Sequence, residues 1–446
     1  MTSNGLALTI SSQAQREFKA AGGHYRDVLR HWRQEADFRS AYYGGRVEVF
    51  AKAGENVRLY DINSAYAFAM LRQFPVGNLS ITEQYHKGCL GIYFIDWIKP
   101  VNLSYGILPC HNLNGALVFT YPEGRGWYCS PEIDLAYELG YKIRVVRGYY
   151  WKRSRQIFGE VVRQWYKAKS QSSGAIYEYY KRMLNSLSGR LGIRENSQDI
   201  IDRLPTKEEV KKYEVMPLDD NGHFFAINRH HHFNDVYVQL VAFITSYARV
   251  QLAKLVIDSE ALYCDTDCVI TRQELPIGDG IGELKIESYG DYIGLAPKLM
   301  MISRNTNEPE HIVHLSAKGF DKSQVTLEMF KEASRGNFDS FMTKITSLLG
   351  LKLCMVKGAS FLTTVEVVRQ LQSSDNKNNI PPEWMREEVK YQKWLERRYR
   401  VRYRYGVVER GVDYPEYDLA ERLEKQDLLR HRAREANQYH KQLTNF

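Results

Sequence analysis

The ten residues from Ala261 to Ile270, A-L-Y-C-D-T-D-C-V-I, set two carboxylates between apolar arms. Residues two apart on an extended chain face the same way, so Asp265 and Asp267 share one side of a strand-turn-strand with buried arms. Carboxylates held that close repel unless a cation or a proton lies between them. An Asp-rich turn bonded only to nearby backbone N–H groups accounts for the same letters. D-T-D alone does not separate the two.

A second carboxylate sits in similar company upstream. Val57 to Met70 reads V-R-L-Y-D-I-N-S-A-Y-A-F-A-M, a β-rich approach ending at Asp61, with a helical pattern from Asn63 towards Phe74. Asp61 reads equally as a helix N-cap and as a metal ligand. A third stretch, K-R-M-L-N-S-L-S-G from Lys181 to Gly189, closes a helix that begins near Ala175. Tyr177, Lys181, Asn185 and Ser188 fall on one face, and Ile176, Tyr180, Leu184 and Leu187 on another. An amphipathic helix ended by a glycine explains the apolar stripe and Gly189, but not a lysine above an asparagine.

These three stretches, D-x-x-S-x-Y (Asp61 to Tyr66), K-x-x-x-N-S-x-x-G and Y-x-D-T-D (Tyr263 to Asp267), resemble the three polymerase motifs of family B DNA polymerases in order and rough spacing. Tyr42-Tyr43-Gly44-Gly45 resembles the Y-x-G-G element of the protein-primed branch, and Ser316-Ala317-Lys318-Gly319-Phe320 resembles its K-x-Y element. One such motif is weak evidence; five in order are strong. The resemblance implies an α+β right-hand fold of palm, fingers and thumb, with an antiparallel palm sheet and a helical fingers hairpin. It implies DNA synthesis on a primer-template from dNTPs, by phosphoryl transfer that rests on positioning and charge neutralisation. Two Mg²⁺ ions, replaceable by Mn²⁺, would be held by Asp61 and Asp267, with Asp265 an auxiliary carboxylate. By position, Tyr66 would pack under the incoming sugar and select deoxyribose. Lys181 would grip the triphosphate, Asn185 would shape the nucleotide pocket, and Ser64 and Lys167 would border it. Lys318, Tyr263, Thr266, Tyr42, Gly44 and Gly45 would contact primer or template. The pattern departs at Ala65, Ala67 and Phe68 of the first motif, at Ser188 and Phe320 where tyrosines are usual, and at Cys268 where a serine is usual. No metal ligand is lost.

Composition agrees with a polyanionic partner. The 446 residues carry a formal net charge of +8 and 31 tyrosines. That excess suits nucleic acid without requiring it, and tyrosine rings can stack on bases. The cysteines at 89, 110, 129, 264, 268 and 354 form no C-x-x-C pair, so neither a disulfide nor a zinc framework is expected. A reducing cell interior is expected to follow, and the resemblance points to a phage or plasmid as the source. The start has no signal-peptide pattern, and no uncharged apolar run is long enough for a membrane span.

Along the chain, 1–45 is a connector with helices over 13–19 and 25–36, and 46–78 is the first part of the palm. Residues 79–153 form a β-rich insertion, with strands over 91–97 and 116–121 and a helix from Ser130 to Gly140. In the protein-primed branch such an insertion meets the priming (terminal) protein and the template duplex. The fingers occupy 154–194 as two helices joined at Ser172-Ser173-Gly174. A polar insertion fills 195–235, where His230-His231-His232 diverge too much to share one ion. The second part of the palm spans 236–320, with a helix over 236–257 capped by Asn234 or Asp235, and strands from Gly282 to Ile302 that place Glu287 and Lys298 near the site. A helical thumb is expected over 321–382 and a basic extension over 383–446. In that extension, Lys390 to Arg404 holds seven basic residues, among them Arg397, Arg398 and Arg400, with four aromatics interleaved. Such a stretch neutralises phosphates while its rings pack on sugars or bases. No D-x-E precedes Asp61, so the expectation is that proofreading is absent, that it comes from a separate exonuclease chain, or that the sequence is a fragment. Two other classes use some of these residues: a nucleic-acid-binding subunit of a larger complex with little catalysis, and a metal nuclease or transposase. The second leaves Tyr66 and the Lys181–Asn185 pair unexplained.

Overall fold

The structure, a computed structural model, describes residues 10–111, 117–193, 196–201, 204–217, 225–230, 235–304, 311–336, 340–348 and 362–371, with two short strands at 403–404 and 407–408. Residues 1–386 make one unit and 387–446 a second. Of the second, the antiparallel pair Tyr403–Arg404 and Val407–Val408 is described. Arg397, Arg398 and Arg400 lie outside the described residues, as do His231 and His232.

The chain enters through helix α1 (Ile10–Ala20) and, after a 3-10 turn at Trp32–Gln34, helix α2 (Glu35–Ala41). The single helix expected over 25–36 does not form. Asp27 takes a left-handed φ of 66°, which a right-handed helix does not propagate, and its carbonyl accepts the Gly77 amide at 2.7 Å. Strands β1 (Val47–Val49) and β2 (Ala53–Ile62) lead into the short helix α3 (Ala65–Met70). Next come β3 (Phe74–Thr82), β4 (Leu90–Ile98), the short β5 (Cys110–His111) and β6 (Leu117–Val118), β7 (Glu123–Cys129), helix α4 (Ser130–Glu138) and β8 (Lys142–Arg155). The insertion is thus a four-stranded antiparallel sheet in the order β3-β8-β4-β7. The strand expected over 116–121 is only β6. Pro131 lies in the first turn of α4 and Gly140, at φ 81°, ends it, but the cap is Cys129. The Ser130 hydroxyl instead accepts the Gly91 amide of β4.

Helices α5 (Gly159–Ser170) and α6 (Gly174–Ser186) form the expected hairpin, burying Val161, Val162 and Trp165 of one and Met183 and Leu184 of the other. Gly189 does not cap α6; it begins a 3-10 turn, Gly189–Gly192. The polar stretch that follows holds β9 (Asn196–Ile201), helix α7 (Lys207–Lys212), β10 (Glu214–Pro217) and β11 (Phe225–His230), the strands pairing as β10-β11-β9. Helix α8 (Val238–Asp258) is the core helix. Its length and mean hydropathy of 1.5 would suit a membrane span, yet 67% of its most apolar window is buried inside the protein. Tyr237 precedes it as the cap, while Asp235 is turned towards Lys19 at 2.5 Å.

Strands β12 (Tyr263–Asp265), β13 (Cys268–Thr271), β14 (Leu284–Ala296), β15 (Leu299–Arg304) and β16 (His311–Ala317) complete an antiparallel seven-stranded sheet, β1-β12-β13-β2-β14-β15-β16. Strand alternation sorts its side chains. Tyr60, Ile62, Cys264 and Val269 pack on Leu252 and Val256 of α8, whereas Val57, Leu59, Tyr263 and Ile270 join Tyr292 and Met300 in a separate cluster. Helix α9 (Leu327–Ser334) is capped by the Thr326 hydroxyl. Beyond it the expected helical thumb gives way to an antiparallel pair, β17 (Ser340–Leu348) and β18 (Leu362–Gln370). The β-branched run Thr363-Thr364-Val365 with Val367-Val368 favours a pleated strand over a helix.

Candidate active site

The acidic turn is held from behind by the glycine stretch. Thr266 links β12 to β13 at φ 58°, and its amide donates to the Arg46 carbonyl at 2.7 Å. A Cβ added to Gly45 would lie 2.9 Å from Thr266 Oγ1, so that position has room for glycine alone. Arg46 is itself buried, paired with Glu48 at 2.6 Å and stacked over Phe119. Gly45 and Thr266 therefore seat the turn, whatever else they touch.

Sheet order brings Asp61 to the same place. Strand β2 pairs with β13 so that Asp61 stands opposite Cys268, and the Ile62 amide donates to the Asp267 carbonyl at 2.7 Å. Asp61 lies within a strand and Ser64 precedes α3, which removes the N-cap reading of Asp61. Burial, and then the Asp61 and Asp265 charges, push the Asp267 carboxyl up to about 6. The Asp61 carboxyl is also raised by burial, offset in part by Lys285 at 3.1 Å. Lys285 bridges onward to Glu287, likewise at 3.1 Å. Asp265 is differently placed. Both its oxygens accept from Lys298 Nζ at 2.8 Å, and Thr266 Oγ1 donates to it at 2.9 Å. Its charge is thereby paired within the protein, though it still bears on Asp267.

Of the residues expected at the nucleotide, Tyr66 and Asn185 share one cavity, and Tyr66 lies within reach of the Asp267 charge. Tyr42, Gly44, Tyr66, Asn185, Ser188, Gly189, Val241 and Thr245 line a cavity of about 290 Å³. Tyr42, Gly44, Tyr66 and Asn185 come to it from three separate motifs. Ser64, left-handed at φ 53°, accepts a 3.0 Å hydrogen bond from Lys169. Lys169 also feels the Asp61 charge and that of Lys181, which is half-exposed on α6. Lys167, two residues away on α5, points outward, because successive residues two apart lie on nearly opposite sides of a helix. The lysine of α5 that reaches Ser64 and the charge of Asp61 is Lys169.

One DNA-contact expectation needs correcting. Tyr263 is wholly buried; its hydroxyl accepts the Lys298 amide at 3.2 Å and faces Asp265, so it supports the turn from inside. Lys318 is exposed and meets the site only through its amide, which donates to the Lys298 carbonyl at 3.0 Å. The lysine beside the acidic turn is Lys298. Nothing in the sequence announced the Arg249–Glu132 pair, buried at 2.9 Å between α8 and α4. Arg249 Nη1 donates to the Tyr43 and Gly44 carbonyls at 2.6 and 3.1 Å, tying the insertion to the wall of the cavity.

Among the described residues no three His, Cys, Asp or Glu side chains come together as a metal cage. Asp61 and Asp267 nonetheless fit hard divalent cations that take further oxygens from substrate. The charges bearing most on Asp267, those of Asp61, Asp265 and Glu287, are all negative.

Residues 5–220 match the family described as DNA polymerase type B, organellar and viral. Over that stretch the chain is similar to the type B DNA polymerases. Relatives of the chain include a probable DNA polymerase of Podospora anserina, 29% identical over 66% of the chain and 28% of the relative. The DNA polymerase of Bacillus phage phi29 is 25% identical over 49% of the chain and 39% of its own length. The chain thus spans under half the length of either relative. In structure it resembles phi29 DNA polymerase complexed with primer-template DNA and incoming nucleotide, at a TM-score of 0.62 and 20% identity over 82% of this chain and 68% of that one. The α+β fold is that of the phage enzyme.

Proposed function

We propose that the chain is a template-directed DNA polymerase that adds deoxynucleotides to a 3′-hydroxyl, or to a hydroxyl of a priming protein, with two Mg²⁺ ions held by Asp61 and Asp267. The observation that carries the reading is the meeting of Asp61 with Asp267 across β2 and β13, beside the cavity lined by Tyr66 and Asn185. When bound, the ions would neutralise charge on the attacking and leaving oxygens. The protein's own part is positioning. Lys169 and Lys181 take the triphosphate, the Tyr66 ring lies under the sugar where a 2′-hydroxyl would clash, and Asn185 bounds the base side. Lys298 holds Asp265 in place beside the other two carboxylates. Lys285 holds Asp61 until a divalent ion competes for it. Primer-template DNA and dNTPs are the substrates, and the sheet from Phe74 to Arg155 is the surface for a priming protein.

Extension of a labelled primer with Mg²⁺ tests this. Asp61→Asn and Asp267→Asn should each cut extension on the order of 10³-fold, the loss of several kcal/mol of metal stabilisation, while binding of primer-template persists. Robust synthesis by either variant would overturn the metal assignment. The same reaction without primer, scored for product covalently joined to protein, separates the two kinds of hydroxyl.

A further inference from the structure

The two lysines proposed to take the triphosphate share an aromatic ring. Lys169 Nζ lies over the Tyr177 ring at 5.7 Å, and Lys181 Nζ lies over the same ring at 5.8 Å. Lys169 is also covered by Tyr166, at 5.0 Å. The Tyr166 hydroxyl donates to the Asp279 carbonyl at 2.6 Å, in the loop between β13 and β14. Helical spacing puts Tyr177 on the face of Lys181 and Asn185, and the hairpin geometry adds Lys169 from the other helix.

The geometry points to Tyr177 as a positioning residue for the nucleoside triphosphate, its ring holding Lys169 and Lys181 as a cation pair aimed at the phosphates. This rests on the polymerase reading above. Two ammonium groups side by side repel, and the Lys181 charge acts on Lys169 here. A carboxylate placed between them would gather them but cancel their charge, and an incoming phosphate would have to displace it. An aromatic face attracts both ammonium groups through its quadrupole and leaves the whole charge on each. The pair is therefore gathered and still available to a polyanion. Glu178 does not take over this role, since its contact with Lys181 is long, at 3.7 Å, and exposed. Tyr166, anchored to the palm loop, keeps Lys169 over Ser64 and stops it following Lys181 outward.

Steady-state extension and tripolyphosphate binding, measured on the full chain and on Tyr177→Leu, Tyr177→Phe and Tyr166→Phe, test the assignment. Tyr177→Leu should raise KM for dNTP about fivefold, weaken tripolyphosphate to a similar degree, and leave kcat and primer-template affinity within about twofold. Tyr177→Phe should behave as the parent, because the ring acts and the hydroxyl does not. Tyr166→Phe, which loses only the bond to Asp279, should raise KM by less than Tyr177→Leu. An unchanged KM in Tyr177→Leu, or a Phe variant as weak as the Leu variant, would overturn the role. If the parent extends primers and Tyr177→Leu matches it, the positioning role falls and the polymerase reading stands. If the parent extends nothing while tripolyphosphate binding still depends on the ring, the polymerase reading falls and the lysine clamp stands. If the parent neither extends nor binds tripolyphosphate, both fall. Equal melting temperatures for the Leu and Phe variants exclude misfolding as the cause.

Discussion

At the scale of single residues, the site is a problem in charge. The Asp267 carboxyl, near 6 in the folded chain, lies above its ordinary value of about 3.9, so the fold binds that proton more tightly than the unfolded chain does. Its contribution to stability is therefore present at acid pH and is lost as pH rises through about 4 to 6. A divalent ion favours the ionised form, so added Mg²⁺ should raise Tm more at pH 7.5 than at pH 5. Thermal melts with and without Mg²⁺ check this, and an equal shift at both pH values would remove Asp267 from the ion's ligands. Tyr66 offers a cleaner test. Burial raises its phenol, which stays neutral, and the ring forms part of the cavity wall. Tyr66→Ala should relax discrimination against ribonucleotides roughly tenfold or more, read as the ratio of kcat/KM for dNTP and rNTP, at about 1.4 kcal/mol per factor of ten. Asp61, Asp267, Tyr66 and Asn185 are legible in the sequence because each lies in a short motif with a chemical reason for its spacing. The contacts of Lys169, Lys285 and Lys298 are not, since the chain has many lysines and the partners of these three lie on other elements.

Among elements, β2, β12, β13 and α8 carry the architecture, and the buried pairs decide how parts are joined. Arg249 and Glu132 are almost wholly enclosed, at 3% and 2% side-chain exposure, and link α8 to α4. Arg249→Met alone would strand the Glu132 charge and should cost about 3–5 kcal/mol in urea melts, whereas the double variant Arg249→Met with Glu132→Leu should recover most of that loss. Equal losses in both would mean the pair is not what α4 rests on. The palm strands and the fingers hairpin are readable from alternation and from the Ser-Ser-Gly break. The helix expected over 25–36 fails because the left-handed turn at Asp27 is stabilised by a partner on β3. The region after α9 departs for another reason: the helical pattern read from Asp321 onward holds for α9, but the β-branched composition of Thr363 to Val368 favours a strand.

For the whole molecule, the basic character resides in large part in Lys390 to Arg404, whose Arg397, Arg398 and Arg400 lie outside the described residues. Neutralising Arg397, Arg398, Arg400 and Arg402 together should weaken primer-template binding and flatten its dependence on salt, by about 0.9 in logarithmic slope for each phosphate no longer neutralised. Binding measured over a range of salt concentrations decides this, and an unaltered slope would argue that the stretch does not touch DNA. What the amino-acid order alone determined was local: carboxylates between apolar arms, an amphipathic hairpin bearing a lysine and an asparagine, and the ordered motifs that mark the family. Tertiary structure decided the pairings. Asp61 and Asp267 meet because β2 lies beside β13, and Lys298 rather than Lys318 reaches Asp265 because it occupies the turn between β14 and β15. Alternation and helical period act over a few residues and can be read along the chain. Coulomb attraction and hydrogen bonding depend on separations of a few ångströms, and those exist only once distant segments have packed.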